Sequence, residues 1–302
     1  MARAMELGIN YFDTASMYGD GQSEMNLGRV LKELRPVLSV AEGAGVYVGT
    51  KVRLAAQEMQ AIKGAVIRSV EESLKRLGRD YVDLIQLHNQ VTSRRKVNEG
   101  SLSARDVLGE VVEAFQSLQA QGKVKFYGIT GLGEIEALRL VIDSGALHTV
   151  QSCYNLLNPS AGAKVSPQFP AQDFGRLIDR AAQKAMGVIA IRVLAAGALS
   201  GVEERHPIAV PSVAPIGSGR DYKEDVARAR AFSFLVEEGH VEGLVEASIR
   251  FALSKREVST VLVGYSSLEQ LEKAVEYTSR GPMPQEVLGR LPEVWAQFTG
   301  PG

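Results

Sequence analysis

The sequence predicts an α/β fold built on a parallel sheet, and three observations carry that prediction. Short β-rich segments alternate with amphipathic helical stretches along the 302 residues. Three of those segments, INYFDTASMYG, VYVGTKV and YVDLIQLHN, deliver Asp13, Lys51 and His88 at spacings of 38 and 37 residues. A strand, its helix and the turns between them need upwards of roughly 30 residues, so this rhythm is what successive βα units produce. Each of the three segments also ends in a side chain able to do proton chemistry, which is where a parallel α/β architecture gathers its active site.

Strands are expected to begin near Ile9, Val46, Val82, Lys125, Thr149, Val188 and Ser259. Between the second and third, Ile62, Val66, Val70, Leu74 and Leu77 form one apolar stripe, with Lys63, Arg68, Glu71 and Lys75 on the rest of the helix and Gly78 placed to end it. Later helices read as VVEAFQSLQAQGK before KVKFYGIT, EIEALRLVIDSG before HTVQSCY, FGRLIDRAAQKAMG before VIAIRV, and VEASIRFALSKRE before STVLVG. Residues 89–104 and 200–225 break the rhythm and are expected to be irregular loops at the carboxyl face, where such loops shape substrate access. The tail from Pro282 to Gly302, with Trp295, is expected to pack over that face or beneath the sheet. Periodicity alone leaves both an open sheet and a closed barrel available.

Composition narrows the function classes. With 45% hydrophobic residues the chain can bury a large core, and α/β barrels of this length commonly form one domain, here residues 1–302. A net charge of −1 without long runs of one sign argues against nucleic acid as a partner. No apolar stretch approaches the roughly 20 residues that span a bilayer, and the N-terminus carries Glu6 and Asp13, so neither a membrane partner nor a signal peptide is expected and the default location is the cytoplasm. The single cysteine, Cys153, excludes an internal disulfide. Four scattered histidines and the absence of CxxC or HExxH argue against a metal site, and no GxSxG nucleophile elbow occurs. GAGVYVG at 43–49 runs into a strand where a dinucleotide fingerprint should open a helix, and GLGE at 131–134 lacks the third glycine.

Taken singly, the candidate residues have ordinary explanations. Asp13 can brace a turn, Tyr18 can be a loop aromatic, Lys51 a solvated charge and His88 a satisfied polar residue. In combination they sit inside longer strings. FDTAxxYGxxxSExxLGxxL runs through Asp13 to Leu31, GTK holds Lys51, DLIQLH ends at His88, and VEESLKRLGRDYVDL lies between. GITG near 130, QSCYNLLNP near 155 and the final VSTVLVG extend the match to nearly the whole chain. These strings resemble the aldo-keto reductase family.

The resemblance implies a (β/α)8 TIM barrel with a catalytic tetrad of Asp13, Tyr18, Lys51 and His88. Seven strands are counted where a closed barrel has eight, so the expected barrel lacks the N-terminal hairpin and first strand that family members carry before the helix resembling MARAMELG. The activity implied is hydride transfer between NADP(H) or NAD(H) and a carbonyl compound, an aldehyde, ketone or sugar lactol, with Tyr18 as general acid/base. A phenol suits that role only if it is made more acidic than its ordinary value of about 10, and a lysine ammonium about 4 Å away favours phenolate by about 4 kcal/mol at an effective dielectric of about 20. Asp13 would hold that ammonium and His88 would orient the substrate oxygen.

The same resemblance assigns Thr130, Gly131 and Gln151 to the nicotinamide end of the cofactor. It places Arg192 and Leu194, in AIRVLAAGALSG, beside it, and Gly264, Ser266 and Gln270 at the adenosine phosphate. Gln270 stands where an arginine for the 2′-phosphate is common. GITGL is similar to the branch that includes L-galactose and other aldose dehydrogenases. Two alternatives stay open: a non-catalytic or regulatory relative, or an N-terminally truncated form with impaired cofactor binding, and, in a different class, a barrel lyase using Lys51 as a Schiff-base amine.

Overall fold

The computed structural model describes residues 1–38 and 45–298. They gather into two compact units, one of residues 1–150 with 184–186 and one of residues 151–183 with those from 187 onward. The chain passes from the first to the second within a strand.

In the first unit, strands β1 (Tyr11–Asp13), β2 (Tyr47–Val52) and β3 (Val82–Leu87) are followed by two short strands, β4 (Gln90–Thr92) and β5 (Ser101–Ser103), and then by β6 (Val124–Thr130). The order β1-β2-β3-β6 is parallel throughout, with Asp13 opposite Gly49, Lys51 opposite Gln86 and Gln86 opposite Gly128. Strand β7 (Thr149–Cys153) begins beside β6, where the His148 N–H donates to the Tyr127 carbonyl at 2.9 Å. In the second unit β8 (Gly187–Ile191) and β9 (Thr260–Val261) are parallel, with Ile189 opposite Thr260. Strands thus stand at all seven positions the periodicity marks, and among the described residues none precedes β1. Gly43 and Ala44 of the glycine-rich GAGVYVG lie outside the described residues, and from Gly45 the chain enters β2 without a helix.

Helix Ile62–Leu77 shows why the sheet is covered. Its Ile62, Ala65, Val66, Val70, Leu74 and Leu77 are all buried, and large aliphatic side chains contribute about 1.5–3 kcal/mol each on burial. Gly78 ends it at φ 60°, and the Gly78 and Arg79 N–H groups close back onto Lys75 and Leu74. Helix Gln22–Leu38 approaches it at Gly28, where a Cβ would collide with the Leu77 backbone.

Two expectations need correction. Residues 89–104 are not irregular: β4 and β5 pair in parallel, Gln90 with Ser101 and Thr92 with Ser103. The polar string hides this pairing because one apolar pair, the buried Val91 and Leu102, is flanked by hydroxyls, the buried Thr92 Oγ1 bonding to the Arg94 carbonyl at 2.7 Å and Ser101 Oγ at 3.1 Å. The helix read in FGRLIDRAAQKAMG spans only Leu177–Gln183, because Arg176 and Ala185 on either side adopt left-handed φ of 55° and 54°. Residues 201–221 are without helix or strand, in line with the loop read over 200–225, which gives way to helix Tyr222–Ala229. The tail forms helix Gln285–Ala296, and the Trp295 indole N–H donates to the Leu156 carbonyl at 2.8 Å. Trp295 meets Phe251 edge-on, and Phe251 stacks on Tyr154, so the tail is part of the second unit's core.

Candidate active site

Parallel register places Asp13, Lys51 and His88 on one face at the carboxyl ends of β1, β2 and β3, because side chains two residues apart share a face. The alternate face holds Val48, Thr50 and Val52, all buried. Tyr18 reaches the site from the turn after β1, which closes with Gly19, Asp20 and Gly21 all in the left-handed region. Two of those three positions are glycines, which adopt that region without penalty.

Lys51 spends all three of its protons here. Its ammonium pairs with Asp13 Oδ2 and donates to the Thr14 carbonyl at 2.9 Å and to Tyr18 Oη at 3.3 Å. The Nζ atom also lies 4.8 Å from the centre of the Tyr18 ring. Lys51 is 2% exposed while Tyr18 is 40% exposed, so the ammonium is out of reach of solvent and the phenol beside it is open to a ligand. The His88 ring stands edge-on to the Tyr18 ring at 6.0 Å. Burial, then the charges of Lys51 and Arg53, pull the His88 imidazole down to about 4, which leaves it neutral at physiological pH.

A supporting layer fixes these groups. The Tyr11 hydroxyl donates to Asp13 Oδ1 at 3.4 Å, and burial, followed by the Asp13 charge, holds that phenol far above its ordinary range, so it stays a donor. The Tyr11 ring crosses β2 at Gly49, where a Cβ would strike its hydroxyl. Glu24, fully buried, accepts from Thr50 Oγ1 at 2.5 Å and from Arg76 Nε at 2.6 Å. Ser23 Oγ meets Thr14 Oγ1 at 2.7 Å. The Ser-Glu pair in the sequence string therefore ties the Tyr18 turn to the strand carrying Lys51. Family strings contain Ser23 and Glu24, but their partners are long-range and only the folded chain shows them.

The fit to a dinucleotide can be tested on buried polar atoms without partners. Among the described residues these are Gln86 Oε1, His88 Nδ1, Thr130 Oγ1, Arg139 Nε and Ser152 Oγ. Gln86, His88 and Thr130 share the face that carries the tetrad. An unpaired buried polar atom costs about 1–3 kcal/mol, so three on one face mark a place for a polar guest such as a carboxamide. Thr130 and the adjacent Gly131 are both buried at the end of β6.

In the second unit Gln151 is buried on β7, and Arg192 and Leu194 follow β8. Arg192, Ala195 and Ala196 all have positive φ, 56°, 46° and 59°, a strained run costing about 1–2 kcal/mol per residue. It is held by the Arg192 carbonyl, which accepts from Asn155 Nδ2 at 2.8 Å. Strain of this kind persists at ligand clamps and switch regions. Cys153 is buried and its thiol is pushed up to about 12 by that burial, which removes it from chemistry at neutral pH. At the far loop, Gly264 and Gln270 are exposed and Ser266 is half-buried. Ser267 caps helix Leu268–Ser279, its hydroxyl accepting from the Gln270 N–H at 3.2 Å. The N–H of Ser266, a residue the resemblance assigns to the adenosine phosphate, is given to Gln270 Oε1 at 2.7 Å.

Residues 1–296 match the Aldo/keto reductase family. The chain belongs to that family. As an aldo/keto reductase it is an NAD(P)-dependent oxidoreductase with an α/β fold of the TIM-barrel type. L-galactose dehydrogenase of Arabidopsis thaliana is 31% identical over 298 residues, covering 95% of this chain and 80% of that protein. Among solved structures, the holo form of aldo-keto reductase AKR11C1 from Bacillus halodurans aligns with a TM-score of 0.67 at 23% identity, over 97% of this chain and 85% of that one. An aldo-keto reductase from Klebsiella pneumoniae in complex with NADPH aligns with a TM-score of 0.64 at 21% identity, over 99% and 84%. No helix among the described residues of this reductase is long and apolar enough to cross a membrane.

Proposed function

We propose that the protein interconverts a carbonyl compound, an aldehyde, ketone or sugar lactol, and its alcohol or oxidised partner, with Tyr18 as the general acid/base. The observation that carries this is the exposed Tyr18 phenol receiving a hydrogen bond from the fully committed Lys51 ammonium. NADP(H) or NAD(H), when bound, supplies or accepts the hydride. In reduction Tyr18 gives its proton to the substrate oxygen, and the phenolate left behind accepts a charge-assisted hydrogen bond from Lys51. Asp13 holds the ammonium in place, and Tyr11 holds Asp13. The neutral imidazole of His88 keeps one N–H to orient the substrate oxygen. In oxidation the same phenolate takes the proton from the substrate hydroxyl.

Thr130, Gly131 and Gln151 hold the nicotinamide end in this proposal, Arg192 and Leu194 flank it, and Gly264, Ser266 and Gln270 meet the adenosine phosphate. Thr130 Oγ1, buried and without a partner, supports the first of these assignments. The similarity to L-galactose dehydrogenase, together with GITGL, favours an aldose among the substrates. The test is a fluorescence titration with NADPH and with NADH, followed by cofactor consumption on a panel of aldehydes and aldoses. Saturable binding and carbonyl-dependent consumption are expected. Binding without consumption across the panel would favour a regulatory relative over an enzyme.

A further inference from the structure

Two residues beyond Lys51 stands Arg53, whose position is fixed on both sides although its head group is not. Before it, the Val52 carbonyl accepts from the His88 N–H at 2.8 Å. After it, Leu54 is clasped by the buried Asn89 amide, which accepts from the Leu54 N–H at 2.8 Å and donates to the Leu54 carbonyl at 2.9 Å. The same amide donates to the Gly100 carbonyl at 2.9 Å, drawing the β4–β5 loop against this segment. Among the described residues no carboxylate pairs with the exposed Arg53 guanidinium, whereas Arg76, Arg79 and Arg95 each hold one. Among the described residues its guanidinium makes one hydrogen bond, from Nη1 to Met17 Sδ at 3.7 Å, a weak acceptor on the residue next to Tyr18. Its Nη2 faces Gly100, where no side chain fills the space.

A guanidinium presents five donors in a planar fork that matches carboxylate and phosphate. Here that fork is carried on hydrogen-bonded backbone between Met17 and Gly100, and its charge is felt by His88. Asp13 balances the charge of Lys51, so among the described residues the unpaired positive charge on this side is that of Arg53, which attracts an anion to the mouth of the site. We propose that Arg53 is the anion-binding residue of the substrate site, and that the preferred carbonyl substrate carries a carboxylate or a phosphate away from its reacting carbon. This rests on the carbonyl-oxidoreductase reading above.

The experiment compares charged and neutral substrate pairs in the wild-type protein, Arg53→Gln and Arg53→Lys: 4-formylbenzoate against its methyl ester, and glyceraldehyde 3-phosphate against glyceraldehyde. The wild type is expected to favour at least one charged member by tenfold or more in kcat/KM, the two pairs separating carboxylate from phosphate. Arg53→Gln should cut that preference at least tenfold, mainly through KM, and Arg53→Lys should keep part of it. A preference absent from the wild type, or equal in wild type and Arg53→Gln, overturns the proposal. Calorimetric titration with the unreactive dianions terephthalate and glycerol 3-phosphate decides the point without turnover. Weaker binding of either by tenfold in Arg53→Gln supports the site, and equal or absent binding of both ligands in both proteins overturns it. Failure to turn over any carbonyl would count against the enzymatic reading alone.

Discussion

The turn after β1 in the first unit and the loop after β9 in the second are both expected to serve one reaction, yet they are built differently. Around Tyr18 the charged groups are held by partners from other elements, with only atoms such as His88 Nδ1 left open: Lys51 has three acceptors, Asp13 has Lys51 and Tyr11, and Glu24 has Thr50 and Arg76. Around Ser266 the groups are exposed or half-buried and satisfied locally, by Ser267 at the cap and Gln270 in the first turn of the helix that follows. Proton chemistry tolerates little misplacement and is held by long-range bonds between strands and helices. The loop proposed for the adenosine phosphate is a surface loop with a helix start, which can change its partners at small cost.

Lys51→Met is the largest way to break this contrast. It strands Asp13 without its ion-pair partner, and losing one member of a buried pair costs about 3–5 kcal/mol, so chemical denaturation should show a marked loss of stability along with lost turnover. It also removes one of the charges that depress His88. Burial remains, so the imidazole should rise from about 4 part of the way towards its ordinary value. The variant then takes up its proton at higher pH than the wild type, and NMR titration of the His88 ring reads this directly. An unmoved His88 titration would mean that Lys51 does not act on it.

Gln270→Arg is the smaller test and probes the permissive region. It adds a charge and frees the Ser266 N–H that Gln270 now occupies. NADPH affinity should improve about tenfold relative to NADH, about 1.4 kcal/mol, with little change in stability. An equal change for both cofactors would place the loop away from the 2′-phosphate.

Much of this was legible in the sequence because the tetrad strings join a strand end to a spacing that only repeated βα units supply. Asp13, Lys51 and His88 come together through strand register, and alternation with a period of two is visible in the chain. Less legible were contacts set by packing. Tyr11 reads as a strand aromatic, and its bond to Asp13 follows from the space left at Gly49. Asn89 reads as a polar residue next to His88, yet it fastens Leu54 and Gly100. The β4–β5 pair escaped because Thr92 and Ser101 bury hydroxyls where the pattern expects apolar side chains. Gln270 reads as a departure from the arginine the resemblance leads one to expect, and its fold-back onto Ser266 depends on the rotamer it takes at the helix start.

The central claim is that Tyr18 transfers the proton while the rest of the site binds and orients. Tyr18→Phe tests it most directly when cofactor affinity and turnover are measured on the same preparation. Turnover should fall by about 10²–10⁴-fold, the range for a lost general acid, while NADPH affinity stays within about twofold of the wild type. Turnover that survives the loss of the hydroxyl would contradict the assignment and move the proton donor to another group.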